Sequence, residues 1–193
     1  MFTGLTSNTK KHLQLDAGAL FKNYAPATDT PETAASKLIG ATVGGATLSM
    51  TPEVRSIEVD GAKGPTKGFE AIDSWTCTLT ANVKEVTADT IKLALASATA
   101  AATSPSSPAG YTKVTINGDI AGTDYIDNVT WIGKMSGSDK PIMIVMKNVL
   151  SLNGFQFTVA DKAEGNVPLV LTAHYDVTDL DAVPVEIYVP VIS

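Results

Sequence analysis

The chain has 193 residues, enough for one domain with a hydrophobic core and short for two. At 44% hydrophobic and 18% charged it is not disordered over its whole length. Thirteen lysines, a single arginine (Arg55) and a net charge of -6 exclude the arginine-rich basic face expected of a nucleic-acid grip.

Thr, Val, Ala and Gly outweigh the helix-forming Leu, Glu and Lys, which favours pleated, half-buried β structure. Residues 1–12 are polar, lack the apolar stretch of a signal peptide, and read as an N-terminal arm. LQLDAGALFKNY (Leu13 to Tyr24) reads as a first strand with Leu13 and Leu15 on one face, and APATDTPETAAS as an extended arm or loop. ATLSMT sets Ala46, Leu48 and Met50 against Thr47, Ser49 and Thr51. IDSWTCTLTANV alternates more strictly, with Trp75, Cys77, Leu79, Ala81 and Val83 facing one way and Thr76, Thr78, Thr80 and Asn82 the other. Successive strand side chains point to opposite faces, so this pattern predicts a sheet with one buried and one wet side.

Between these two strands runs VRSIEVDGAKGPTKGFE, residues 54–70, rich in glycine and mixed charge. It is longer than a turn needs, and the two strands are expected to form a hairpin around it. As a phosphate cradle GAKGPTKG lacks the Walker spacing and a following helix. A contact loop fits better, because Arg55, Glu58, Asp60, Lys63, Lys67 and Glu70 offer charges that a neighbour can match.

TADTIKLALASA predicts one helix, with Thr87 as N-cap, Asp89 in the first turn, Val86 and Ile91 as a staple, and Ile91, Leu95 and Ala98 with Ala94 on its apolar face. TSPSSPAG, residues 103–110, reads as a linker. YTKVTING, DNVTWIG, IMIVMKNVL, GFQFTVA and LVLTAHYD read as strands, the third covered on both faces, and AEGN as a turn. Residues 183–193 alternate Val183, Val185, Ile187, Val189 and Val191, but Pro184 and Pro190 confine them to an edge strand or a C-terminal arm. The sum is about eight strands and one flanking helix in a single domain spanning 1–193, a mainly β sandwich or partly rolled barrel with a long inter-subunit loop and arms.

Catalytic chemistry has little material. His12 follows two lysines, and His174 precedes Asp176 by two residues without a nucleophile tied to either by a motif, so His174 reads as a surface histidine beside a carboxylate. Asp176, Asp179, Asp181 and Glu186 break the calcium-loop pattern with Leu180 and Ala182, and no metal or cofactor is expected. Cys77, the only cysteine, reads as a packed core thiol and leaves no internal disulfide. Asn128–Thr130 matches a glycosylation sequon, which means little without a secretion signal. The longest apolar run, Ile142 to Met146, is too short to cross a bilayer, so a soluble chain assembled in a cytoplasm is expected.

Taken in order, LQLDAGALFKNY, GATLSMTPEVRSIEVDGAKGPTKGF and IDSWTCTLTANVKEVTADTIKLAL resemble the major tail tube proteins of long-tailed bacteriophages, a likeness over most of Leu13 to Leu95 that continues in the strand order of the later half. The resemblance implies a non-enzymatic β-sandwich subunit that closes into hexameric rings, stacked as the hollow conduit for a genome. Its implied partners are further copies of itself, the tape measure, terminator and baseplate or tip proteins, and a sheath protein in a contractile tail. It places the protein in the virion tail, and in the host cytoplasm during assembly, with no membrane partner.

A conduit for DNA must not hold it. The duplex carries about one charge per 1.7 Å of axis, so a lysine-lined bore would bind it tightly. Residues 38–54, 68–83 and 163–193 contain no Lys or Arg. The lumen is therefore expected to be lined by Thr47, Ser49, Thr51, Thr76, Thr78, Thr80 and Asn82, with alternate residues of Val170 to Asp176, and DNA to pass without specific binding. The 54–70 loop becomes an inter-ring or inter-protomer tether. The alternative is a carbohydrate-binding or adhesin-like β-sandwich module, which needs solvent-facing aromatics; aromatics are 6% of the chain, and Trp75 and Trp131 fall on apolar faces.

Overall fold

The computed structural model describes residues 3–101 and 107–192. The strands are β1 (Ala19–Lys22), β2 (Thr42–Ser56), β3 (Glu70–Val83), β4 (Ala98–Ala101), β5 (Lys113–Ile116), β6 (Ile126–Gly133), β7 (Ile142–Ser151), β8 (Thr158–Ala160), β9 (Ala163–Thr172) and β10 (Val185–Tyr188), with one α-helix, α1 (Ala88–Ala94). The fold is mainly β and sandwich-like. All strand pairs are antiparallel.

β7 joins the two layers. Along one edge it pairs with β6, while Met143–Met146 pair with β10 and Leu150–Ser151 pair with β9. One layer is thus β1-β6-β7-β10 and the other β2-β3-β9, with the chain bending at Asn148, whose φ is +49°. The core between them takes Leu20, Val129 and Met146 from the first layer and Cys77, Leu79, Val83, Leu169 and Leu171 from the second. β7 has adjacent buried residues (Val145 and Met146, then Val149 to Ser151), as its unbroken apolar run implies for a strand covered on both sides.

α1 is shorter than the sequence suggests. Thr87 caps it by accepting the Thr90 N–H, and the Thr90 hydroxyl accepts the Thr87 N–H in return. Leu95 is already extended (φ -99°, ψ 138°), so Leu95 and Ala98 lie outside the helix and Ala98 opens β4. The buried helical residues are Thr90 and Ala94, and Val86 of the expected staple is largely exposed.

Other expectations are corrected or met. The first strand covers only Ala19–Lys22, because Gly18 takes φ +69° and the Asp16 carboxylate turns to accept the Lys134 N–H at 3.0 Å; Leu13 and Leu15 are exposed. Residues 9–12 of the arm form a 3-10 turn that meets Ser136, whose hydroxyl donates to the Lys10 carbonyl. The 25–36 segment is a string of turns ending in a 3-10 helix (Ala35–Lys37), and it buries Ala34 against Phe21 and Tyr24. AEGN lies in β9; the turn before it is Asp161–Lys162, with Lys162 at φ +57°. Of GFQFTVA only the last three residues are strand, since Gly154 at φ +73° carries the chain out of the ladder. The 103–110 linker falls partly outside the described residues; its end, 107–110, leads into β5. β10 is an edge strand: the carbonyl of buried Pro184 accepts the Lys147 N–H, and Pro190 stands beyond the strand.

Candidate functional site

The β2–β3 hairpin is the longest element pair. Its register places Thr47 opposite Thr80, Ser49 opposite Thr78 and Thr51 opposite Thr76, while Asn82 lies opposite Val43 across a bulge made by Gly44 and Gly45 (φ +77° and +75°). Residues opposite each other in an antiparallel pair share a face. The seven expected residues therefore form one surface, exposed except for Thr78, which is half-buried. β9 extends it, with Thr172 beside Thr78 and Val170 beside Thr80. His174 and Asp176 do not extend it, because β9 ends at Thr172. His174 turns its Nδ1 to the Asn148 carbonyl at 3.0 Å and meets the Tyr125 ring edge-on, while Asp176 accepts from Thr178.

The opposite face is the core wall. Cys77, Leu79, Ala81 and Val83 are buried there, and Ala46, Leu48, Met50 and Trp75 pack against them. Burial pushes the Cys77 thiol pKa up, consistent with a packed, neutral sulfur. The uncharged run on the wet face ends where Glu53 accepts the Ser74 hydroxyl at 3.0 Å. Beyond it Arg55 pairs with Asp73 at 3.1 Å, Asp73 being the extra residue of a second bulge.

The hairpin also outruns its own sheet. Among the described residues β3 has β9 beside it only from Thr78 to Val83, and β2 has no strand on its other edge. Pro52 fits such an edge, where a missing N–H leaves no ladder unmade. From Glu53 to Glu70 every residue is exposed, including Arg55, Glu58, Asp60, Lys63, Lys67 and Glu70. The ladder continues past Ser56 to a bond from the Ile57 N–H to the Phe69 carbonyl at 2.7 Å, so the unpaired excursion is shorter than residues 54–70. Val54 lies opposite Ile72 in line with Met50 and Cys77, and the apolar stripe thus leaves the core uncovered. An isolated two-stranded ribbon is marginal in water.

Phe155 and Phe157 escaped the sequence reading as a surface feature. Their rings stack at 6.2 Å with a 17° interplanar angle, partly exposed, and Phe157 lies where a side chain at Gly165 would sit. Both precede β8 (Thr158–Ala160) rather than lying in a strand, and nothing local in the sequence signals that their rings stay partly open to solvent.

Among the described residues no three His, Cys, Asp or Glu side chains group as a metal site, and no helix is long and apolar enough to cross a membrane. The sequon is used internally: the Asn128 carboxamide oxygen accepts the Tyr24 N–H at 2.9 Å and the hydroxyl of buried Thr130 at 3.1 Å. A scan against protein-family models matches no family, and a search of curated proteins returns no match.

Proposed function

We propose that the protein is a structural subunit that polymerises, head to tail, into stacked rings forming a tail tube, with the uncharged β2-β3-β9 face turned to the bore. The observation that carries this reading is the β2–β3 hairpin, which runs past its own sheet with Val54 and Ile72 open to water and, among the described residues, no third strand beside that part. Exposed apolar stripes of this kind mark interaction surfaces, and a long unpaired edge is a template for another chain. Heterologous contacts through such an edge close into rings when the rotation allows. The hexameric count, the virion tail location and the tape measure, terminator, baseplate and sheath partners come from the resemblance. DNA passage agrees with a face of hydroxyls and amide that offers phosphates no cation.

Electron microscopy of the concentrated, purified protein tests this. Rings or tubes of uniform bore are expected, and a protein that stays monomeric at all concentrations defeats the reading.

A second reading, a sugar-binding module, is favoured by the stacked Phe155–Phe157 pair alone. It predicts glycan binding that Phe157→Ala abolishes, without higher assembly.

A further inference from the structure

We propose that the tip of the β2–β3 hairpin, Gly61–Gly68, docks in a groove on the outer side of the β1-β6-β7-β10 layer of a second copy. The proposal rests on the assembly reading above and names the receiving surface.

The groove lies on the face turned away from the core. Phe21, Ile132 and Met143 form its floor, and the 26–32 turns and the segment after β10 wall it. Its volume of about 1450 Å³ exceeds the roughly 300–1,000 Å³ of small-molecule clefts and suits a chain segment. Its charged lining is acidic on balance: Asp16, Asp29, Glu32 and Asp139 against Lys134 and Lys140. Asp29 is held by Lys37 at 2.6 Å; Glu32 and Asp139 are exposed and make no ion pair among the described residues, and neither do the exposed Lys134 and Lys140, so with Asp16 the groove keeps a small acidic excess.

The hairpin tip has the complementary character. Gly61 to Gly68 carries Lys63 and Lys67 and no acid, and neither lysine has an ion-pair partner among the described residues. Side chains added at Gly61, Gly64 or Gly68 would meet nothing within 4 Å, so the tip stands clear of its own subunit. It does not line its own groove, so the occupant comes from another copy. Three glycines keep the tip slim enough for its backbone to approach the apolar floor, and the lysines reach the acidic rim, where charge complementarity sets orientation.

Paired substitutions test the docking. Lys67→Cys protein is mixed under mild oxidation with Glu32→Cys or Asp139→Cys protein; all three positions are exposed, and native Cys77 is buried. Mixed disulfide dimers are expected, well above the yield from either protein alone. Independently, Lys63→Glu with Lys67→Glu raises the concentration needed for association roughly tenfold, and adding Glu32→Lys with Asp139→Lys restores it. Tubes that form without these cross-links overturn the docking and leave the tube reading standing. Cross-linked oligomers that are not tubular do the reverse. Neither tubes nor cross-links defeats both.

Discussion

Val54 and Ile72 face each other across the β2–β3 ladder, on the side that becomes the hydrophobic core a few residues further in, yet they are 53% and 57% exposed. Folding of the lone subunit gains little from them. Ile72→Asp is therefore expected to shift subunit stability by no more than about 0.5 kcal/mol, as at an ordinary surface position. Association should fail, since a charge would have to be buried without a partner. Calorimetry and light scattering on the same sample separate the two effects. A large fall in Tm with association intact would mean that the stripe serves the subunit itself.

Trp131 sets a second expectation. Its indole N–H donates to the Ala17 carbonyl at 3.1 Å, and a side chain at Gly133 would overlap its ring. The bond to Ala17 and the close approach of Gly18 to the indole hold the ring in this position. Gly133→Ala should cost about 1–3 kcal/mol by overpacking. Gly64→Ala, which meets nothing, should leave stability nearly unchanged. Urea unfolding followed by tryptophan fluorescence compares the pair.

Period-two alternation made the Thr76–Asn82 face legible, because a strand cannot place alternate residues elsewhere once Cys77 and Leu79 are buried. Thr87 marked the helix start through its hydroxyl. The helix end was less legible, since Leu95 and Ala98 suit either an apolar helix face or the start of β4. Leu13 and Leu15 misled because alternation carries no record of Asp16 and Gly18 turning the chain. The groove was invisible, because it exists only where residues 26–32 and 188–192 approach each other across the fold.

Thr90 tests the helix cap. It is buried, accepts the Thr87 N–H at 2.8 Å and donates to the Glu85 carbonyl at 2.9 Å. Thr90→Val keeps the shape and leaves both groups unmet, at a cost of about 1–3 kcal/mol. Thr87→Ala removes the other half of the box for about 1 kcal/mol. The double variant should lose less than the sum, because the two hydroxyls act as one unit. Additive losses in thermal unfolding would show that they do not cooperate.

Glu186 ties β10 to β7. Its carboxylate takes the Lys147 ammonium, and the Tyr188 hydroxyl donates to it at 2.6 Å. The hydrogen bond from Lys147 comes first in holding its pKa below the ordinary glutamate value, and the Tyr188 pKa is raised by the same carboxylate. A depressed folded pKa contributes stability above the unfolded value of about 4.3, and the contribution is lost as pH falls through the folded value. Acid unfolding of Glu186→Gln should therefore start from a slightly lower stability at neutral pH and converge with the parent at low pH. Both partners are well exposed, so the gap is small and shrinks further in high salt. A gap that widens on acidification would reverse the assigned sign.

Thr78 and Thr80 address the bore directly. They occupy the centre of the wet face, flanked by Ser49 and Thr47 on β2 and by Thr172 and Val170 on β9, with no cation in the patch. Thr78→Lys with Thr80→Lys leaves the core wall untouched, so subunits should fold and assemble. Repeated around each ring, the added ammonium groups would meet a duplex along its whole passage and release its counterions. Assembled particles of the variant should retain DNA at low salt and let it go as salt rises, while the parent retains none. Reaction of the new lysines with an amine reagent too bulky to enter the tube should stop on assembly. Undiminished labelling of tubes would place this face on the outer wall, and an uncharged surface would then have nothing to do with a passing polyanion.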